Sequence, residues 1–262
     1  MQAPHEPQAS LEPQTVNLDG VTQNPPTMLE LKFINAAYGK SQVLRDINLT
    51  VHEGEAVALL GRNGVGKTTL LRTITGVHPI SSGRIRFGES DLFSSLPAFE
   101  RARRGLASVP QGRGIFPHLT VYENLLMGLP ALSGRKNSSG TIPEIVFELF
   151  PILHEFKDRK GGNLSGGQQQ QLAIGRALVT QPKMLLLDEP TEGIQPSIVQ
   201  EIETALTRVR KELGVAVLLV EQYLEFAWSF ADRFYVMQKG QVVDRGSTQE
   251  RTVESVEKLL SV

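Results

Sequence analysis

Cysteine is absent from this chain of 262 residues. Its absence excludes disulfide bonds, cysteine-ligated zinc and thiol catalysis, and it suits a reducing compartment. An excess of basic charge is absent too, because 27 lysine and arginine residues nearly balance 28 aspartate and glutamate residues and leave a net charge of -1. No global basic field therefore draws the chain to a nucleic acid backbone.

Long apolar runs and a secretory signal are also absent. The longest aliphatic stretches, such as residues 215–220, are far shorter than the about 20 residues of a membrane-spanning helix. Residues 1–27 lack the basic start and the apolar core of a signal peptide. They contain five prolines and few large apolar side chains, too few to bury the surface that ordering requires. We expect a disordered tail, with Met28 as an alternative start.

The rest of the chain has an ordinary globular composition, with 40% apolar and 21% charged residues overall. Its first part reads as strands over residues 29–37, 47–51, 56–60 and 84–87, with turns at 39–40, 53–54 and 82–83. These short strands predict a small antiparallel sheet beside a parallel core.

Residues 111–164 are helical in pattern and predict a helical insert. A capping box at residues 120–123 opens one helix, and apolar spacing predicts another over 144–156. Further elements follow: a helix from Ser165 to about Val179, a strand at 184–187, a helix at 196–213, a strand at 215–221, a helix at 224–231, a hairpin near 239–240 and a closing helix after Ser247.

A phosphate-binding loop is predicted at residues 61–68, where G-x-x-x-x-G-K-T stands between an apolar run and a helical pattern. Glycines let backbone N–H groups face phosphate oxygens at the N terminus of the next helix. We expect Lys67 to reach the β- and γ-phosphates and Thr68 to bind Mg²⁺. The alternative is a glycine-rich turn with a surface lysine. The predicted ATP-binding residues here are Gly61, Arg62, Asn63, Gly64, Val65, Gly66, Lys67, Thr68 and Thr69.

Two carboxylates follow the buried strand at 184–187. Asp188 is expected to bind the same Mg²⁺, usually through water. Adjacent side chains diverge on an extended strand end, so Glu189 is free to face an attacking water. This predicts Glu189 as the general base. The alternative is a glutamate that caps a helix or forms a salt bridge.

A second anion site is predicted at the start of the helix that Ser165 caps. Serine and exposed glycine amides at a helix N terminus attract anions. Because the chain already has its own phosphate loop, we expect this site to serve the nucleotide of a partner subunit. A plain helix start is the alternative. The residues are Leu164, Ser165, Gly166, Gly167 and Gln168.

The phosphate loop, the helix start at 164–168 and the two carboxylates, in that order along the chain, resemble the motifs of the nucleotide-binding subunits of ATP-binding-cassette transporters. The resemblance covers residues 29–262 and implies an α/β fold, with the RecA-like core of P-loop NTPases. It also implies an antiparallel β subdomain and a helical subdomain, at about 112–164, that carries the signature. The predicted nucleotide-binding domain is therefore residues 28–262.

The same resemblance implies roles for two more side chains. Tyr38 is similar to the aromatic residue that stacks on adenine. Gln111 is similar to the glutamine that joins the Mg²⁺ shell and links the core to the helical subdomain. A half-buried strand tyrosine and a solvent-facing loop glutamine are the alternatives.

Two positions differ from the commonest family pattern. Gln195 stands where the family usually has an aspartate, and Gln222 where it usually has a histidine. A glutamine can hydrogen-bond the γ-phosphate and hold the water, but it cannot carry a positive charge. We expect Gln222 to be catalytic. The two glutamines resemble those in one of the two ATPase subunits of branched-chain amino acid importers and their urea-importing relatives, and residues 109–117, 189–196 and 220–224 resemble the urea branch more.

The resemblance implies an ATPase subunit of a membrane importer, for urea or, alternatively, for branched-chain amino acids or a small amide. The implied partners are a second ATP-binding subunit in a heterodimer, two transmembrane permease subunits near residues 112–119 and, indirectly, a solute-binding protein. No nucleic acid partner is expected. The implied location is the cytoplasmic face of the inner membrane, with membrane contact only through permeases.

Two rival functions stay open from the sequence. One is a soluble cassette protein that acts on ribosomes or DNA, although such proteins usually join two cassettes or insert a coiled coil. The other is a subunit that binds ATP mainly as a clamp, suggested by Gln195 and Gln222. Intact Lys67, Asp188 and Glu189 argue against the clamp.

Overall fold

The computed structural model describes residues 15–16, 22–23, 25–91, 93–132 and 140–261. The tail predicted for residues 1–27 lies mostly outside them and stays a prediction. Within it, strands β1 (Thr15–Val16) and β2 (Thr22–Gln23) pair antiparallel.

The remaining elements keep the predicted order, but they include a helix at 98–103 and a strand at 106–109 that were not predicted. The strands are β3 (Thr27–Tyr38), β4 (Ser41–His52), β5 (Ala56–Leu60), β6 (Ser82–Phe87), β7 (Leu106–Val109), β8 (Met184–Asp188), β9 (Ala216–Glu221), β10 (Arg233–Gln238) and β11 (Gln241–Ser247). The α-helices are α1 (Lys67–Thr75), α2 (Ala98–Arg103), α3 (Val121–Leu126), α4 (Glu144–Leu149), α5 (Pro151–Glu155), α6 (Gly166–Val179), α7 (Pro196–Leu213), α8 (Leu224–Phe230) and α9 (Val253–Ser261).

A three-stranded antiparallel sheet, in the order β4-β3-β6, forms the predicted β subdomain. Two expectations were wrong here. Ser82 and Gly83 open β6 instead of forming a turn, and β4 begins at Ser41, six residues before the predicted start. The first half of β4 is polar and largely exposed, so hydrophobic alternation does not reveal it.

A six-stranded sheet, in the order β11-β10-β5-β9-β8-β7, forms the core. Its strands are parallel except for the edge strand β11. Every residue of β5, β8 and β9 is buried, as in parallel sheets covered on both faces. Leu60 lies opposite Glu221, and Asp188 lies opposite Val220. The carboxyl ends of these strands therefore meet at one edge, where ligands of such sheets bind.

The two faces of this sheet pack into different hydrophobic clusters. Along β5, Ala56 and Ala58 face a cluster that contains α6 and α7 side chains. Val57 and Leu59 face a cluster shared with the antiparallel sheet and α1. Burying a residue such as Leu59 contributes about 1.5 to 3 kcal/mol, so both layers hold the central strands in place.

The helical insert is confirmed, but the single helix predicted over 144–156 is wrong. Phe150 leaves helical geometry, with φ -133° and ψ 76°, and separates α4 from α5. Pro151 begins α5, and a proline disfavours helical geometry in the residue before it. Phe150 is 1% exposed, so the break turns an aromatic ring into the core.

The capping box predicted at the start of α3 is present, with Thr120 and Glu123 bonded reciprocally. Among the described residues, no helix is both long enough and apolar enough to traverse a bilayer.

Candidate functional site

The phosphate loop connects β5 to α1, in the predicted strand-loop-helix context. Gly64 and Gly66 have φ angles of 80° and 109°, which side chains other than glycine rarely adopt. Lys67 is 5% exposed, and its Nζ donates to the carbonyls of Gly61 at 2.7 Å and Arg62 at 3.1 Å. This buried lysine is not the surface lysine of the alternative interpretation. Its ammonium closes the loop on itself.

The Lys67 ammonium also lies among carboxylates. Burial lowers the pKa of Lys67, and the charges of Glu189 and Asp188 oppose that effect. The Glu189 Oε1 atom lies 3.7 Å from Lys67 Nζ. The negative charge of Glu189 therefore favours the protonated form of Lys67 in the buried site.

Glu189 differs from its expected backbone geometry. The strand ends at Asp188, and Glu189 adopts a left-handed conformation with φ 48°, so the prediction of an extended strand end was wrong. Its backbone N–H donates to Val220 O at 2.8 Å. Such a conformation costs on the order of 1 to 3 kcal/mol in a residue other than glycine. The hydrogen bond to the neighbouring strand therefore has to hold Glu189 in this strained conformation.

The left-handed turn separates the two carboxylates as predicted. Glu189 Oε1 accepts from Gln222 Nε2 at 2.6 Å, and Oε2 accepts from Gln111 Nε2 at 3.0 Å. The Asp188 carboxylate is hydrogen-bonded with the Thr68 side chain instead. Gln111 and Gln222, which come from two other loops, thus meet at Glu189.

Gln111 contacts a second carboxylate that sequence reasoning missed. Its Nε2 donates to Glu192 at 3.0 Å as well as to Glu189. Gln111 is solvent-exposed, as in the alternative interpretation, yet its amide joins two acidic side chains of the loop after β8. The only sequence signal for Glu192 is its place three residues after Glu189.

Asp188 carries an unsatisfied buried oxygen. The residue is 4% exposed, and its Oδ1 has no hydrogen-bond partner among the described residues. Burial raises its pKa, and the bond with Thr68 opposes that rise. A buried carboxylate without a full set of partners is suited to a cation.

The residues present fit Mg²⁺ but not an all-protein metal cage. The part of the chain that the structure describes has no cluster of three or more His, Asp or Glu side chains arranged to hold a metal. Mg²⁺ is usually bound by one or two carboxylates together with substrate phosphates. Thr68 and Asp188 match that donor set, and Gln111 lies at the same edge.

Tyr38 is the last residue of β3 and is 45% exposed. Its ring stacks on His78, with centroids 4.2 Å apart and planes 29° apart. Hydrogen bonds with the Arg72 and Thr69 side chains lower the pKa of the Tyr38 hydroxyl. His78 was missed, because nothing in the sequence near α1 distinguishes it. Tyr38 is both a strand tyrosine and an exposed aromatic surface beside the phosphate loop helix.

The signature begins α6 as predicted. Ser165 Oγ accepts from Gln168 N at 3.3 Å, and Gln168 Oε1 accepts from Ser165 N at 3.0 Å, a reciprocal capping box. Gly167 is required by packing, because a Cβ there would lie 2.7 Å from Ile198 Cγ2. Leu164 is buried, whereas Ser165 is exposed. The serine therefore faces solvent on a helix end held from behind.

Gln195 occupies the N-cap position of α7 without a side-chain capping bond. It is solvent-exposed, and its backbone carbonyl accepts from Ile198 N and Val199 N. Its side chain is thus available to a partner molecule rather than committed to the helix.

A profile of the ABC transporter family matches residues 44–192, more than half of the chain. This chain belongs to the ABC transporter family. Its sequence is 44% identical to the high-affinity branched-chain amino acid transport ATP-binding protein BraG of Pseudomonas aeruginosa, over 82% of this chain and 91% of BraG. It is 36% identical to the maltose/maltodextrin import ATP-binding protein MalK of Escherichia coli K12, over 85% of this chain but 58% of MalK.

Solved structures of ABC cassettes share the fold. A dimeric cassette in a post-hydrolysis state, bound to ADP and Pi, aligns with a TM-score of 0.76 and 27% identity over 84% of this chain and 99% of its own. A nucleotide-free cassette aligns with a TM-score of 0.74 and 30% identity over 90% of this chain and 96% of its own. These likenesses confirm the predicted P-loop NTPase fold, and the ABC protein described here is an ATP-binding ATPase.

Proposed function

We propose that this ABC protein hydrolyses ATP to drive an importer for branched-chain amino acids or chemically related small amides. The support for the solute is the 44% identity to BraG, which spans 91% of that protein and exceeds the 36% identity to MalK. The comparisons thus favour the amino acid alternative over the urea expected from the sequence. Urea becomes the outcome that a transport assay must distinguish.

The observation that carries the hydrolytic function is the meeting of Glu189 with Gln111 and Gln222. Glu189 Oε1, 2.6 Å from Gln222 Nε2, is the acceptor for a proton from the attacking water. The Gln222 amide then orients that water without carrying charge. A subunit that only binds ATP as a clamp, without hydrolysing it, does not require a carboxylate that accepts hydrogen bonds from two amides beside Lys67.

Nucleotide binding requires Lys67 to exchange partners. In the loop its Nζ bonds Gly61 O and Arg62 O, and phosphate oxygens would replace these carbonyls as acceptors. Charge-assisted bonds to phosphate are stronger than bonds to neutral carbonyls. Thr68, Asp188 and Gln111 would hold Mg²⁺, which neutralises developing phosphate charge when bound.

The signature serves the nucleotide of a second ATP-binding subunit in this proposal. Ser165 is exposed at the N terminus of α6, where backbone N–H groups and the helix dipole favour phosphate. Each of two ATP molecules then lies between one subunit's phosphate loop and the other's signature. The partner is a different ATPase subunit, since Gln195 and Gln222 resemble one member of such a pair. Hydrolysis reopens the dimer.

The membrane contact in this proposal is indirect. Two permease subunits dock against the loop at residues 112–119. Phe116 in this loop is 42% exposed. The Asn124 side chain holds the loop by donating to Phe116 O and Leu119 O. The ABC protein then lies on the cytoplasmic face of the inner membrane. A solute-binding protein acts through the permeases and not on this chain.

Uptake of labelled solutes tests the proposed transport function. Cells whose own copy is replaced by Glu189→Gln should lose uptake of labelled leucine and keep uptake of labelled urea. Glu192→Gln is the matched control, because Glu192 accepts from the same Gln111 amide but has no assigned role in proton transfer. Loss of urea uptake with intact leucine uptake would overturn the solute assignment, and loss of neither would overturn the importer.

A further inference from the structure

Glu221 is a buried carboxylate that the proposed chemistry does not use. It is the last residue of β9 and is 2% exposed. In the sheet it lies opposite Leu60, the last residue before the phosphate loop. Burying an ionised carboxylate is costly unless its oxygens are satisfied, so its bonding partners indicate what it does.

One oxygen of Glu221 holds the loop that carries Glu189. Glu221 Oε1 accepts from the Thr191 backbone N–H at 3.1 Å and from Thr191 Oγ1 at 2.8 Å. Thr191 is itself buried and lies two residues after Glu189. These two hydrogen bonds from Thr191 fix the position of the loop between β8 and α7.

The other oxygen holds the loop that carries Gln222. Glu221 Oε2 accepts from the backbone N–H groups of Gln222 at 3.1 Å and Tyr223 at 3.4 Å. The two loops therefore share a single carboxylate beneath the site, and their side chains meet above it through the bond between Gln222 and Glu189.

We propose that Glu221 is a positioning residue that sets the distance between Glu189 and Gln222. All four of its partners donate, and a carboxylate has only acceptors to offer them. A glutamine of the same shape would direct an NH2 group at one pair of donors and push that loop away. This inference rests on the proposed role of Glu189 as the general base.

The four donors around Glu221, rather than its burial, favour the ionised carboxylate. Burial raises the pKa of Glu221, and the bonds from Thr191, Gln222 and Tyr223 oppose that rise. The negative charge of Glu221 is also felt by Lys67, whose pKa it raises.

Glu221→Gln in the full-length chain, assembled with its partner subunits, tests the proposal. A displacement of about 1 Å between reacting groups can lower turnover about a hundredfold. We therefore expect kcat to fall by about thirty- to a hundredfold, while ATP affinity, measured by calorimetry, changes by less than about twofold.

Glu55→Gln is the matched control. Glu55 is 6% exposed, its pKa is also raised by burial, and it pairs with Arg233 next to the opposite end of β5. It should lower the melting temperature as much as Glu221→Gln and leave kcat unchanged. Unchanged kcat in Glu221→Gln overturns the proposal. So does a loss of kcat that is matched by lost ATP affinity and a larger fall in melting temperature than the control.

Thr191→Val provides a second variant if Glu221→Gln fails to fold. It removes only the hydroxyl donor to Oε1 and should lower kcat in the same direction, by about three- to tenfold, with ATP affinity unchanged. Full activity in Thr191→Val contradicts the proposal. Glu189→Gln separates the two hypotheses: if that variant hydrolyses ATP normally, the general base is wrong, whereas its inactivity with full activity in Glu221→Gln removes only the positioning role.

Discussion

The edge of the core sheet and the start of α6 are both suited to phosphate, but they differ in what surrounds the phosphate site. At the sheet edge, Lys67 and Asp188 are buried, and Glu189 has bonds to two amides. At the signature, Ser165 is exposed and its Oγ bond is to its own helix. The first region contains a buried lysine, a candidate metal ligand and a base, whereas the second offers hydrogen-bond donors.

The two regions therefore cannot carry out the same chemical step. A site for hydrolysis needs a base and charge compensation for the phosphates, and only the sheet edge provides both. Donors at a helix end can complete a site whose other half is elsewhere. Substitutions in the two regions should therefore impair different steps.

The largest expected effect is at the base. Glu189→Gln should retain ATP binding and lose about two or more orders of magnitude of turnover, because the amide cannot accept a proton from water. Closed dimers should accumulate. Steady-state ATPase with the partner subunits and size-exclusion chromatography measure both results. Near-normal hydrolysis would falsify the assignment, with Glu192→Gln as the control that keeps activity.

A smaller effect, on binding rather than turnover, is expected at the phosphate loop. Lys67→Ala removes a charged donor worth about 1.5 to 3 kcal/mol, so the Kd for ATP should rise by about ten- to a hundredfold. Calorimetry of the full-length chain measures it. Lys211→Ala, at an exposed position in α7, is the control, and an unchanged Kd in Lys67→Ala contradicts the loop assignment.

Gln222→Ala should have a weaker effect that is confined to this chain's own site. It removes the bond to Glu189 Oε1 and leaves the base in place, so we expect about a tenfold loss of turnover. The rate at the partner's site should stay unchanged. Equal losses at both sites would sink the asymmetry between the two regions.

The smallest effect is expected outside both regions. A chain that starts at Met28 should hydrolyse ATP at the full rate, because no residue before it is part of the predicted site. It loses the bond from Glu53 N to Pro26 O, worth about 1 kcal/mol, so its melting temperature should fall by no more than about 4 °C. A start at Pro25, behind an added methionine, keeps that bond. A much larger fall would assign the tail a structural role.

The sequence predicted the motifs at the sheet edge better than it predicted the backbone geometry there. The loop at Lys67 and the capping box at Ser165 are local patterns, and local hydrogen bonds build them. The left-handed turn at Glu189 depends on Val220 of the neighbouring strand, and no pattern near residue 189 indicates it. The periodicity of apolar residues within one segment carries no information about the contacts of that segment with another strand.

The same limit explains the contacts that were missed. The stacking of Tyr38 on His78 joins β3 to the turn after α1, and the bonds of Glu221 to Thr191 join the end of β9 to the loop after β8, 30 residues away. The failure at Phe150 is of another kind. Its signal, Pro151, stands in the sequence, but the apolar spacing on both sides of the proline concealed the break between α4 and α5.

Nucleotide trapping on each subunit tests the central claim most directly, that the signature completes the partner's site and not its own. In the reconstituted complex, vanadate-trapped azido-ATP would be measured separately on this chain and on the partner subunit. Ser165→Arg places bulk and charge where a γ-phosphate must dock, and Ser165→Ala controls for the lost helix cap, worth about 1 kcal/mol. We expect Ser165→Arg to remove label from the partner and to leave it on this chain. Loss from this chain alone, or equal loss from both, would contradict it.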